Sequence, residues 1–243
     1  MDQGVIARRQ VSMNVLVTGA SGFIGAALVS RLDNKGHRVV PLRRAATAGN
    51  EAGPTWNPQA GQIHLEPAGQ LDAVVHLAGE NMAQRWTPTA KARIRVVHLR
   101  LGIVLARHSG ALAKMLPAFR LGLGGRLGTG RQYWSWIALE DLLRVVERAL
   151  QDDHLSGPVN AVSPTAVTNT EFTAALSRAL RRPALLPVPA LAVKLNFAEM
   201  GREALLASAR VRPARLAECG FEFLFPKLDE AFNHLLTRPI QTS

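Results

Sequence analysis

Hydrophobic and polar positions change period several times along the chain. Asn14 to Val17 form a short apolar run, and Ile24, Leu28 and Leu32 then recur at helical spacing until Gly36. A second apolar strand pattern covers Arg38 to Leu42. Strand, glycine turn, helix and strand therefore follow one another within residues 13–44, the order of a parallel βαβ unit. A third strand lies in "LDAVVHLAGEN", residues 71–81, where a continuous apolar run ends at Gly79, as expected of a parallel strand covered on both faces.

The stretch "TPTAKARIRVVHLRLGIVL", residues 87–105, opens like a helix and finishes like a buried strand. Between Thr89 and Leu101 it contains no Gly, Pro, Asn, Asp or Ser, so the residues that would mark a turn are missing. Beyond it, Glu140 and Asp141 open a helix, "EDLLRVVERALQ", where acids suit the positive end of the helix dipole. "GPVNAV", residues 157–162, reads as the last strand of the sheet. Thr168 and Glu171 have the spacing of a capping box. From Pro164 onward a smaller C-terminal, substrate-side domain is expected, with helices at 170–180, 191–199 and 229–236 and a short strand at Phe221 to Phe225. Residues 13–163 form the larger, first domain in this scheme, and residues 1–12 a tail.

The glycines carry the first chemical signal. In "TGASGFIG" Gly19 permits a tight turn, Gly22 admits close approach of a pyrophosphate, and Gly25 allows the helix to pack against the strand. The helix start then offers free N–H groups to phosphate. Where an NAD-specific fold places an acid after the second strand, this chain has Arg43 and Arg44. Two guanidiniums suit a 2′-phosphate, so NADP is favoured over NAD. His76 lies within an apolar run, without a second histidine or carboxylate at metal spacing, and reads as a hydrogen-bonded core residue. "RLGLGGRLGTGRQ", residues 120–132, is glycine-rich but follows a helical pattern and lacks a Walker ending; it reads as a substrate or interface loop.

Composition narrows the classes. With 243 residues and 47% hydrophobic content the chain can bury a sizeable core. No apolar run approaches the roughly 18 residues of a membrane span, and a single cysteine, Cys219, excludes an internal disulfide. A cytoplasmic location without membrane partners is expected. The charge of +11 is spread in pairs of arginines with no nucleic-acid-binding signature, so a small-molecule partner is expected rather than nucleic acid.

Taken in order, "TGASGFIG", "LDAVVHLAGEN", "VVHLRLGIVL", "LPAFRLGLGGRLGTGRQ", "WSWIALEDL", "GPVNAVSP" and "VTNTEF" resemble the atypical extended short-chain dehydrogenase/reductases, and within them the sugar-nucleotide epimerase-like proteins with a C-terminal domain of unknown function. The resemblance implies a doubly wound parallel Rossmann sheet and an NADP-dependent oxidoreductase or epimerase-like activity on an unspecified substrate. It implies cofactor contacts at Gly19, Ser21, Gly22, Phe23, Ile24 and Gly25, at Arg43 and Arg44, and at Leu77 and Ala78.

One segment departs from the family pattern. Ile94 is followed at once by Arg95, where similar proteins insert two βα units of about thirty residues each, including a strand with Ser and a Tyr-bearing loop. Tyr133 is the chain's single tyrosine, and Ile137 stands where a Tyr-x-x-x-Lys pattern needs its lysine. Tyr133 therefore reads as packing, and no catalytic residue is assigned. A shortened sheet of order 3-2-1-5-6 is expected, with residues 95–105 pairing directly beside Asn14 to Val17 so that no central position stays vacant. Three readings stand at this point: an NADP-dependent enzyme with unusual acid/base groups, a non-catalytic dinucleotide-binding or interaction protein, and an incomplete copy that folds poorly.

Overall fold

A computed structural model of the chain describes residues 12–45, 53–57, 59–77, 96–184 and 208–237. They fall into two compact units, Met1–Arg85 and Trp86–Ser243.

The first unit is an α/β layer built on β1 (Asn14–Thr18), α1 (Phe23–Asn34), β2 (Arg38–Arg44), β3 (Thr55–Asn57), β4 (Gln62–His64) and β5 (Ala73–His76). Its five strands run in the order β4-β3-β2-β1-β5. All pairings are parallel except β3 with β4. Alternation along the strands separates two faces. Leu16, Val40, Leu42, Trp56 and Ala68 pack together on one. Val15 and Val17 point the other way, toward α1, whose Leu28 and Leu32 are fully buried. Burying each such leucine contributes about 1.5–3 kcal/mol, which fixes α1 against the sheet. Asn14 N donates to Asp72 Oδ2 at 2.7 Å, tying the start of β1 to the chain entering β5.

The α/β, mainly parallel Rossmann-like arrangement agrees with the sequence reading; the strand order 3-2-1-5-6 does not. β1 is flanked by β2 on one side and by β5, the "AVVH" strand, on the other. The position outside β2 belongs to the short strand Thr55–Asn57. No vacancy exists beside β1 for residues 95–105 to fill, because the strand assigned to the outer edge already occupies it.

The second unit contains β6 (Val97–Leu101), β7 (Ile103–Leu105), α2 (Gly110–Arg120), β8 (Tyr133–Trp134), β9 (Trp136–Ala138), α3 (Leu139–Gln151), β10 (Gly157–Ala161), β11 (Val167–Thr168), α4 (Asn169–Leu180), α5 (Ala214–Glu218) and α6 (Leu228–Thr237). The stretch read as one strand over 95–105 is two. β6 pairs in parallel with β10, and after Gly102 the chain switches partner so that β7 pairs with β9. The switch needs a residue without Cβ: one built on Gly102 would lie 2.5 Å from Ser135 O and 2.9 Å from Val162 Cγ1. β8 and β11 form a short antiparallel pair.

Trp134, Phe172 and Phe232 make a chain of edge-to-face contacts in the core of this unit, with centroids 4.9 and 5.1 Å apart. Thr168 caps α4 through the expected box, accepting from Glu171 N at 3.2 Å while its own backbone N–H donates to Glu171 Oε2. The strand expected at Phe221 to Phe225 is an irregular segment instead. Leu224 N and Phe225 N donate to the two carboxylate oxygens of buried Asp141, at 2.8 and 3.0 Å, so these amides have no ladder to join. The helix expected at 191–199 lies outside the described residues. Among the described residues no helix is long and apolar enough to cross a membrane.

Candidate functional site

The first unit gathers its chemistry where β1, β2 and β5 end. β1 stops at Thr18, and Gly19 turns the chain with φ +67°, a conformation that a side chain disfavours. Gly22 N donates to Gly19 O at 2.9 Å and closes the turn, and Gly22 is also the N-cap of α1. A Cβ on Gly25 would sit 2.0 Å from Gly19 O and 2.8 Å from Ala20 Cα, so the helix start rests directly on the turn. A Cβ on Gly22 would lie 3.2 Å from Gly19 O.

The resulting cradle has no side-chain cap at Gly22 and no acidic residue in the first turn of α1. The backbone N–H groups of Phe23, Ile24 and Gly25 therefore meet the positive end of the helix without a competing carboxylate. Ser21 is exposed on the same turn. These features fit a bound pyrophosphate in shape and sign.

Arg43 and Arg44 end β2 and are both exposed. Thr18 is in register with Leu42, which puts Arg43 one step past the last β1 partner, level with the start of the glycine turn. Because strand side chains alternate, Arg44 shares its face with Val40 and Leu42, and Arg43 shares the α1 face. The two guanidiniums thus approach the strand ends from opposite faces.

A third group was missed as a site element in the sequence. Thr18, buried to 1% exposure, places Oγ1 2.7 Å from His76 Nδ1 and accepts from Leu77 N at 3.1 Å. This fastens the chain leaving β5 beside the chain leaving β1, and so sets Leu77 next to the glycine turn. Thr18 and His76 both lie inside motifs singled out in the sequence, but their adjacency follows only from the β1–β5 register. His76 is hydrogen-bonded as expected but exposed, not in the core. Val74, on the same face of the same strand, is exposed as well. Ala78 lies outside the described residues.

In the second unit Tyr133 is half-buried and carries the Arg210 guanidinium 5.0 Å above its ring. The backbone around Arg210 is pinned on both sides. Ala209 N donates to Tyr133 O, Ser135 Oγ donates to Ala209 O at 2.7 Å, and Val211 N donates to Ser135 Oγ at 2.9 Å. An exposed cation is thereby held on an aromatic platform. Glu140 Oε2 lies 3.0 Å from His234 Nε2, and the Asp141 carboxylate accepts from the backbone N–H groups of residues 224 and 225. Among the described residues no group of three or more His, Cys, Asp or Glu could hold a metal ion.

Comparison with known proteins gives two matched families. Residues 15–107 match the NAD dependent epimerase/dehydratase family, and residues 188–235 match a domain of unknown function, DUF1731. The chain is 35% identical to epimerase family protein MT2273 of Mycobacterium tuberculosis, over 93% of this chain and 98% of that protein. It is 30% identical to the human epimerase family protein SDR39U1, over 92% of this chain and all of that protein. The crystal structure of human SDR39U1 (isoform 2) with NADPH superposes with a TM-score of 0.75 at 29% identity, covering 91% of this chain and 98% of that one. The UDP-N-acetylglucosamine 4-epimerase of Bacillus cereus, at 15% identity and TM-score 0.64, shares the fold. The alignment with the mycobacterial protein spans 296 positions but draws on about 226 residues of this chain, so about 70 positions of the relative face gaps here.

Proposed function

Because the chain belongs to the NAD dependent epimerase/dehydratase family, in the form that joins that fold to a DUF1731 domain, we propose that its first unit binds a nicotinamide dinucleotide, preferring NADP(H). The observation that carries this reading is the contact of Gly25 with the Gly19 turn, a cradle that a single methyl group would fill. The pyrophosphate is held by the backbone N–H groups at the start of α1. Arg43 and Arg44 take the 2′-phosphate, each guanidinium offering a fixed fork of donors and a permanent charge. Thr18 holds Leu77, through its backbone N–H, beside the dinucleotide. The NADPH in the human relative's crystal structure supports the same preference.

When bound, the dinucleotide supplies or accepts a hydride, which makes the chain an oxidoreductase or epimerase-like protein acting on a small molecule. Within the second unit, Arg210 on its Tyr133 platform is suited to an anionic group. A second reading, a dinucleotide-binding protein without turnover, is favoured by one observation: the only tyrosine of the chain is Tyr133, under Arg210, and residues 12–77 contain none. Titration with NADPH, followed by its fluorescence, combined with turnover of a panel of carbonyl compounds separates the two. Saturable binding with carbonyl-dependent NADPH oxidation supports the oxidoreductase; saturable binding without oxidation supports the binding protein. A folded chain that binds no dinucleotide removes both.

A further inference from the structure

The start of α4 is closed by the glycine-rich loop that precedes β8. Asn169 N donates to Gln132 O at 2.9 Å and Thr170 N to Gly130 O at 3.0 Å. Thr168 N goes to Glu171 Oε2 and Glu171 N to Thr168 Oγ1, so all four backbone donors that a helix leaves open at its start are taken. Thr170 Oγ1 adds a second bond to Gly130 O, and Gln132 Nε2 donates to Leu127 O. The helix start is a joint that fastens residues 127–132 to α4.

Two side-chain groups inside this joint are left over. Asn169 is fully buried and Thr173 is 5% exposed. They stand four residues apart, on one face of the helix. Leu127 N donates to Asn169 Oδ1 at 2.7 Å, which fixes the amide with its oxygen toward the loop and its Nδ2, a donor of two hydrogen bonds, turned away from it. Neither Asn169 Nδ2 nor Thr173 Oγ1 has a partner among the described residues. A buried donor without a partner gives up its hydration with no bond in return, and folded proteins keep few such groups. Two of them on adjacent turns of one face point to a shared occupant.

We infer that the joint holds one internal water molecule, which accepts a hydrogen bond from Asn169 Nδ2 and is bonded in turn to Thr173 Oγ1. The donor set selects this ligand. An amide N–H only donates, so it offers nothing to a cation. A buried anion needs a charge to balance it, and no lysine or arginine is buried among the described residues. Water is neutral, accepts from the amide, and either donates to the hydroxyl or accepts from it. The size fits as well: Cβ atoms at i and i+4 lie about 5–6 Å apart, and a water about 2.8 Å from each of two polar atoms spans such a gap. By holding Nδ2 the water keeps the Asn169 amide from turning, and so keeps Oδ1 on Leu127 N. The joint then runs from the glycine-rich loop to the second turn of α4.

The test uses the full chain, the isosteric variant Thr173→Val, and Thr173→Ser, which keeps the hydroxyl. A high-resolution crystal structure of the parent is expected to show an ordered water within hydrogen-bond distance of both atoms. In solution, magnetisation transfer from a long-lived water to the Asn169 side-chain amide is expected in the parent and in Thr173→Ser. It is lost in Thr173→Val, where hydrogen exchange of the Leu127 amide also quickens. The melting temperature decides by its sign. Loss of a bonded hydroxyl lowers it by about 2–4 °C, the shift that one hydrogen bond is worth in a chain of this size, whereas replacing an orphaned hydroxyl by a methyl group raises it. A parent structure in which either atom bonds a protein group instead, or in which the two share no water, overturns the inference. So does magnetisation transfer that survives Thr173→Val, or a Thr173→Val protein that melts at or above the parent.

Discussion

Substituting Gly25 by alanine tests the cradle at its tightest point. The new Cβ would fall 2.0 Å from Gly19 O and 2.8 Å from Ala20 Cα, both backbone atoms that no rotamer change can move. Restoring an ordinary contact of 3.4 Å requires the start of α1 to retreat from the turn by about 1.4 Å. Overpacking of this kind costs about 1–3 kcal/mol, and the displaced N–H groups no longer converge on the pyrophosphate position. NADPH affinity is therefore expected to fall by about 5- to 150-fold, the range that such energies span. Fluorescence titration measures the affinity, and a thermal melt of the same samples measures the accompanying loss of stability. Gly53→Ala is the control, since a Cβ there meets nothing within 4 Å, and it should leave both quantities unchanged. A Gly25→Ala protein that binds NADPH like the parent and melts at the same temperature would refute the reasoning.

Three further outcomes follow from the same geometry. Asp141→Asn turns one carboxylate oxygen into a donor facing a backbone N–H of residue 224 or 225, in a side chain that is 1% exposed; urea unfolding should show a loss of about 1–3 kcal/mol, and an unchanged midpoint would contradict the pinning role. Gly102→Ala should destabilise the chain by a similar about 1–3 kcal/mol, because its Cβ meets Ser135 O at 2.5 Å, and a neutral effect on the melt would show that the β6-to-β7 switch does not need that approach. The Asp152 carboxyl is held below its ordinary value of 3.8 first by the backbone N–H of His154 and then by Arg148. The native form thus binds its proton at lower pH than the unfolded chain. Its stabilising contribution is full above the ordinary carboxylate value and disappears as pH falls through the lowered one. The stability gap between the parent and Asp152→Asn should accordingly shrink between about pH 5 and pH 3 in urea unfolding; a gap that widens would reverse the sign.

Local signals were legible in the sequence, and long-range pairings were not. The strand, glycine turn and helix from Asn14 to Asn34 and the capping box at Thr168 depend on residues within a few positions of one another, and each stands where its pattern places it. The strand beside β1 was misassigned because parallel neighbours are chosen by packing across 58 residues of chain, as the Thr18–His76 bond illustrates. Residues 95–105 read as one strand because the apolar run continues through Gly102, whereas the break comes from Ser135 and Val162, which no local period reports. Phe221 to Phe225 alternate like a strand, but the amides of residues 224 and 225 meet a carboxylate 83 and 84 residues away, and Phe221 and Phe223 meet edge-to-face with centroids 4.9 Å apart. At the candidate site the glycines and arginines were visible as residue types at a spacing. The Thr18 clamp was not, since it exists only once β1 and β5 are side by side.

Calorimetric titration of the full chain with NADPH and with NADH, repeated on the Arg43→Ala, Arg44→Ala double variant, tests the dinucleotide site most directly. Removal of a charged contact to a 2′-phosphate is worth about 1.5–3 kcal/mol, so the parent should bind NADPH at least tenfold tighter than NADH, and the variant should lose that preference with NADH affinity nearly unchanged. A folded parent that binds neither nucleotide would contradict the account, and a double variant that keeps the preference intact would remove the two arginines from it.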